Sequence, residues 1–200
     1  MRLEEILKRE LDVFKAKHQL EDLDILETGC IRFADETYHP NDGWSTVFFA
    51  EYVGEFEGSF HSVDLDTKAA KKVLAGRKLD PYARFHEGHS IDVLSGMVAN
   101  AYAVAKKNNR GQVTLGGDGF LDVLFLDSAN DATLILSEFL VASRILRTPG
   151  LVIVDDVDQD AETVFKGDGI VPWLVSRGTE FTIQKRHGDS YSTGVLVFEV

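Results

Sequence analysis

The stretch from Leu121 to Asp127 constrains this chain more than any other. Its Val123-Leu124-Phe125-Leu126 run is apolar at every position. A strand with water on one side alternates apolar and polar residues, whereas a strand apolar throughout is covered on both faces. That pattern belongs to parallel sheets, whose strands are joined by helical crossovers. The remaining segments therefore have to supply helices for two faces.

They do. Leu3, Ile6, Leu7, Leu11 and Phe14 recur at helical spacing and predict an amphipathic N-terminal helix. Strands are expected at Asp24–Thr28, Ser59–Asp64, Tyr82–His86, Leu121–Asp127 and Leu151–Val154. Helices are expected at Gly43–Val53, Thr67–Leu74, Ile91–Lys107 and Ala132–Arg147, the last stopped by Thr148-Pro149-Gly150. Phe181–Lys185 and Gly194–Val200 read as an antiparallel pair at the sheet edge. The sum is an α/β fold with a seven-stranded, mostly parallel sheet, an antiparallel C-terminal edge and helices on both faces. No linker or repeat divides the chain, so one domain over 1–200 is expected, with an N-terminal helix over 1–20 and a sheet-bearing core over 24–200.

The net charge of −12 repels phosphate backbones, and basic residues occur only in short runs such as Lys71-Lys72 and Lys106-Lys107. Nucleic acid is therefore not an expected partner. No apolar run approaches the roughly 20 residues that span a bilayer, so no membrane partner is expected either. A single cysteine, Cys30, leaves no internal disulfide and no cysteine-based zinc site. The charged N-terminus carries no apolar signal core, and a cytoplasmic protein is expected. The amphipathic first helix offers a face that a homodimer could share.

In an open parallel sheet, ligands bind beyond the carboxyl ends of the strands. Those ends here carry Glu27, Asp64, Asp127 and the Asp155-Asp156 pair. Capping explains an isolated aspartate, and Asp66 is well placed to cap the helix at Thr67, which leaves Asp64 for a ribose diol. After strand one the chain reads Glu27-Thr28-Gly29-Cys30, with no further glycine until Gly43 opens the next helix. Neither G-x-G-x-x-G nor a P-loop is present. An acidic Glu27 in the turn repels a pyrophosphate and welcomes an ammonium. The strand, the Gly29 turn and the helix N-terminus at Gly43 thus suit a phosphate-free nucleoside with a cationic amino-acid arm.

Six motifs in order carry a resemblance: Leu26-Glu27-Thr28-Gly29, Gly43-Trp44-Ser45-Thr46, Ser62-Val63-Asp64-Leu65-Asp66, Gly88-His89-Ser90, Leu124-Phe125-Leu126-Asp127, and Pro149-Gly150 through Asp155-Asp156-Val157. Together they resemble the class I S-adenosylmethionine-dependent methyltransferases, and most the small-molecule O-methyltransferase branch with the catechol and macrocin enzymes. The resemblance implies a Rossmann-like core, S-adenosyl-L-methionine as cofactor, a small hydroxylated methyl acceptor such as a sugar or secondary metabolite, and a divalent cation such as Mg²⁺. By position it implies that Glu27 and Gly29 line the methionine arm, Ser45 lies near its carboxylate, Asp64 holds the ribose, and His89 and Ser90 flank the adenine. It also implies that Asp127 and Asp155 act at the reaction centre, that Asp127 contacts the cofactor, and that Asp127, Asp155 and Asp156 fall where cation-dependent members keep metal ligands.

Two features depart from the pattern. The Cys30–Asp42 loop is long, and Ser128-Ala129-Asn130-Asp131 follows Asp127 where the family often carries a lysine or histidine base. Asn130 is no base, and Asp131 reads equally as a helix cap, which leaves His39 as the candidate base. Trp173, after Gly167–Pro172, is either an aromatic platform for the acceptor or a packed core residue. The rival readings are a nicotinamide-dependent oxidoreductase and a binding module that has lost its chemistry.

Overall fold

A computed structural model describes residues 1–35, 44–108, 119–157, 166–187 and 192–200. The elements run α1 (Leu3–His18), β1 (Leu23–Thr28), α2 (Ser45–Phe56), β2 (Gly58–Asp64), α3 (Lys68–Arg77), β3 (Ala83–Glu87), α4 (Ser90–Asn108), β4 (Leu121–Leu126), α5 (Ala132–Ala142), β5 (Leu146–Val154), α6 (Gly167–Arg177), β6 (Phe181–His187) and β7 (Ser192–Glu199). The sheet order is β3-β2-β1-β4-β5-β7-β6. The first five strands in that order pair in parallel, and β7 lies antiparallel between β5 and β6. The C-terminal strand is thus inside the antiparallel pair, and β6 forms the edge.

Successive residues of the central strands feed two separate cores, as period-two geometry requires. Ile25, Val123, Phe125 and Ile153 pack with α1, α2 and α3. Leu26, Leu124, Leu126, Val152 and Val154 pack with α4, α5 and α6. The all-apolar run of β4 therefore has helices on both sides. Leu3, Ile6, Leu7, Leu11 and Phe14 of α1 are all buried in the first core. Each contributes roughly 1.5–3 kcal/mol of gross burial, before ordering costs. The apolar face of α1 is taken by its own sheet and is not free for a second copy. No described helix is long and apolar enough to cross a membrane.

Two expected boundaries are corrected. The helix expected to reach Arg147 ends at Ala142, because the Ile145 carbonyl accepts hydrogen bonds from Phe120 N and Leu121 N at 2.9 and 3.1 Å and draws the chain into the sheet. Thr148-Pro149-Gly150 does not end a helix; it lies inside β5, where the register against β4 jumps from Leu121↔Leu146 to Val123↔Leu151. A proline is tolerated within a strand at such a bulge. In addition, the Gly167–Pro172 segment before Trp173 opens α6. Pro172 falls within that helix.

At the amino-terminal end of the sheet, Arg147 joins the two central strands. Its guanidinium donates to Asp122 Oδ2 at 2.6 Å and to Asp24 Oδ2 at 3.0 Å, and Asp24 N also donates to Asp122 Oδ2. This ties the starts of β1 and β4 to β5.

His61 of β2 and His86 of β3 stack with ring centroids 5.2 Å apart and ring nitrogens 2.9 Å apart. Burial, then the neighbouring His86 and Arg84, pushes the His61 pKa down to about 4, against a weaker pull from Asp24. Burial lowers that of His86 too. The folded protein therefore favours neutral rings, and the unfolded chain takes up protons first on acidification. Stability from this pair is full above pH 6.5 and is lost as pH falls toward 4. The melting temperature of the wild type should fall more across that window than that of His61→Gln; parallel curves would show that the pair does not drive acid sensitivity.

Candidate active site

The order β2-β1-β4 reverses direction of winding between β1 and β4, and this is the switch point where a crevice opens. Backbone bonds hold its rim: Asp127 N donates to Thr28 O at 2.9 Å, Gly29 N to Val63 O at 2.9 Å, and Asp155 N to Leu126 O at 3.2 Å. A narrow cleft lies there, lined by Gly29, Cys30, Arg32, Trp44, Asp64 and Asp127 among others. Gly29 has φ of +86°, and a Cβ there would strike the Asp127 carbonyl and lie 2.9 Å from Ser128 Cα. Only glycine lets β1 turn this close to the end of β4.

Of the residues expected from sequence, Gly29, Ser45, Asp64 and Asp127 line the cleft. Asp64 Oδ2 accepts from Cys30 N at 2.8 Å, which fixes the loop after β1. Asp66 Oδ1 accepts from Lys68 N at 2.9 Å at the start of α3. Asp131 caps α5 through Thr133 N and Leu134 N. His89 is exposed and Ser90 buried at the end of β3, and neither lines the cleft. His39 and Gly43 lie outside the described residues.

Glu27 departs from expectation. It is fully buried beneath the cleft and does not line it. Its carboxyl accepts from Thr46 Oγ1 at 2.6 Å, Ser62 Oγ at 2.8 Å and Ser45 Oγ at 3.1 Å. Burial pushes its pKa up to about 8 against the opposing pull of these hydroxyls. Glu27 therefore ties β1, β2 and the start of α2 together beneath the cleft. Just before α2, Trp44 is buried with φ of +43°, and the Arg77 guanidinium lies 5.4 Å from its ring. A bulky residue in this left-handed region costs about 1–3 kcal/mol and persists where the surroundings enforce it, commonly at ligand sites.

Beside the cleft, Asp127, Asp155 and Asp156 bring carboxylate oxygens within 4.8 Å of one another. Sequence reasoning missed the residue that neutralises them. Lys166, immediately before α6, is 2% exposed; it hydrogen-bonds Asp127 Oδ1 and lies 3.7 Å from Asp156 Oδ2. Burial works against its charge, but Asp127, then Asp156, outweigh it and hold the pKa above the usual lysine value. A second buried acid was also missed. Glu138 of α5 accepts from Thr28 Oγ1 at 2.8 Å, and burial raises its pKa. Neither residue lies in a sequence motif; the only sequence signal for Lys166 was that three clustered carboxylates require a cation. Trp173 packs edge-on against Phe139, with centroids 5.1 Å apart, in the second core.

Residues 41–157 match the family model described as a methyltransferase domain. The chain belongs to this methyltransferase family. The matched segment holds the strand ends that carry Asp64, Asp127 and Asp155. No curated protein matches the methyltransferase in sequence. Among solved structures it is similar to an O-methyltransferase from Bacillus cereus in complex with SAH (TM-score 0.62, 17% identity, 94% of this chain and 78% of that one). It is similar to a protein from Klebsiella pneumoniae assigned as an O-methyltransferase (TM-score 0.59, 18% identity, 96% and 80%). It is also similar to the MycE methyltransferase of the mycinamycin pathway, in complex with Mg and SAH (TM-score 0.56, 14% identity), covering 96% of this chain but 48% of MycE. At these identities the likeness is one of fold, and it agrees with the seven-stranded Rossmann-like architecture expected from sequence.

Proposed function

We propose that this methyltransferase takes S-adenosyl-L-methionine into the crevice between β1 and β4 and methylates a hydroxyl oxygen of a small molecule. The observation that carries the reading is the turn at Gly29: backbone packed on the Asp127 carbonyl, with Asp64 on one side and Asp127 on the other. A phosphate-free nucleoside suits this rim, since two carboxylates would repel a pyrophosphate. The SAH in the Bacillus cereus neighbour and in MycE supports the same choice of cofactor. The net charge of −12 supports a small acceptor over a nucleic acid.

Bound S-adenosyl-L-methionine supplies an electrophilic methyl group, and the protein's task is then mainly positioning. Asp64, already anchored by Cys30 N, would hold the ribose hydroxyls of the bound cofactor. The buried bonds of Glu27 hold the start of α2, and with it Ser45, at the cleft edge. Asp127 would face the methyl acceptor, and in the ion-free protein Lys166 holds its carboxylate. Asp127, Asp155 and Asp156 are hard oxygen donors close enough to share one Mg²⁺, which would add Lewis-acid polarisation of the acceptor oxygen. His39 is retained as the candidate proton acceptor.

Calorimetry with S-adenosylhomocysteine tests the reading: saturable heat is expected, and none at millimolar ligand excludes it. Nicotinamide dinucleotides in the same titration should give no heat. Asp64→Ala should weaken S-adenosylhomocysteine binding by about 1.5–3 kcal/mol, the cost of losing hydrogen bonds to a charged group. Unchanged affinity would remove Asp64 from the ribose site.

A further inference from the structure

Lysine is almost never fully buried without a partner. Lys166 is buried, and its ammonium sits against two of the three carboxylates that could hold a metal. Asp127 ends β4, and Asp156 follows β5 with φ of +58°, a conformation that turns its carboxylate toward the same point. The start of α6 is also fixed: a Cβ on Gly167 would lie 2.8 Å from the Val157 carbonyl, so this backbone is packed against the segment after β5.

We propose that Lys166 is the resident cation of the Asp127–Asp155–Asp156 cluster, and that its ammonium and a divalent ion occupy the cluster in alternation. A divalent ion needs oxygens at about 2.0–2.6 Å. Two of the three carboxylates it would use, those of Asp127 and Asp156, already face the ammonium. Two cations cannot share that space: their repulsion in a partly dry site exceeds what either gains. Ion entry thus requires Lys166 to swing off Asp127, and ion loss lets it return. The ammonium keeps three neighbouring negative charges compatible with the folded state when no ion is present. It also sets how tightly the cluster holds a metal. Lys166 acts through Asp127 and is a positioning residue.

The test is binding of Mn²⁺ alone to the cofactor-free full chain, read from the free-ion electron paramagnetic resonance signal. Lys166→Met should bind one Mn²⁺ at least about tenfold more tightly than wild type, since a full positive charge leaves the site. Lys166→Arg, which keeps the charge, should stay as weak as wild type. Adding Asp155→Asn to Lys166→Met should abolish the gain and so place the ion in this cluster. If the methionine variant does not fold, Lys166→Gln, which leaves Asp127 a neutral hydrogen-bond donor, is read in the same way. Equal or tighter binding by the wild type overturns the proposal, as does a gain that survives Asp155→Asn. Catalytic use of the exchange depends on the methyl-transfer assignment above. S-adenosylhomocysteine calorimetry tests that assignment and Mn²⁺ binding tests the exchange, so either can fail alone.

Discussion

Gly29→Ala should destabilise the fold by roughly 2–6 kcal/mol, combining about 1–3 for a strained left-handed backbone with about 1–3 for forcing an atom into a packed site. The new methyl group would meet the Asp127 carbonyl carbon at 2.7 Å and Ser128 Cα at 2.9 Å. Both are backbone atoms, and they cannot rotate aside as a side chain can. The separation of β1 and β4 has to widen at their carboxyl ends, where Asp127 N donates to Thr28 O. Urea unfolding of wild type and variant measures the effect through the midpoint. A loss under about 1 kcal/mol would show that the turn relaxes without cost. Gly76 provides the control, since no atom lies within 4 Å of a Cβ built there.

Glu27→Gln should change how stability depends on pH. The folded protein holds the Glu27 proton up to about pH 8, against an ordinary value of 4.5. Below pH 4.5 both folded and unfolded chains are protonated there, and the group contributes its full stability. Between 4.5 and 8 the unfolded chain releases the proton while the folded one retains it, so stability falls as pH rises. Glutamine has no proton to release. The variant should therefore gain on the wild type across this window, by on the order of 4 kcal/mol in total. Denaturant unfolding at pH 5 and pH 8 measures the gap between the two proteins. A gap that stays constant would mean that Glu27 titrates as an ordinary carboxylate.

These two neighbours show where sequence reading succeeded and where it stopped. The apolar run of β4 announced a covered parallel strand, and the structure places a core on each side of it. Gly29 was legible because a glycine after a strand end has few purposes. Glu27 was legible as a position but not as a role. Whether a carboxylate faces a cleft or turns inward depends on Ser45, Thr46 and Ser62, which come from two other elements. The α5–β5 boundary failed for a related reason. Local periodicity continues past Ala142, but hydrogen bonds from Phe120 and Leu121 to Ile145 override it. Lys166 was illegible because its partners lie at the ends of β4 and β5, distant in sequence, and no local pattern marks a lysine that folds inward.

The ion-pair knot of Arg147, Asp24 and Asp122 lies at the opposite end of the sheet from the cleft. The alignment of the central strands is thereby locked at one pole of the molecule, while ligand contacts are made at the other. Such a scaffold can accept longer or altered segments at its upper rim without any strand slipping past its neighbour. Changes at that rim can therefore leave the placement of Gly29, Asp64 and Asp127 relative to one another unaltered.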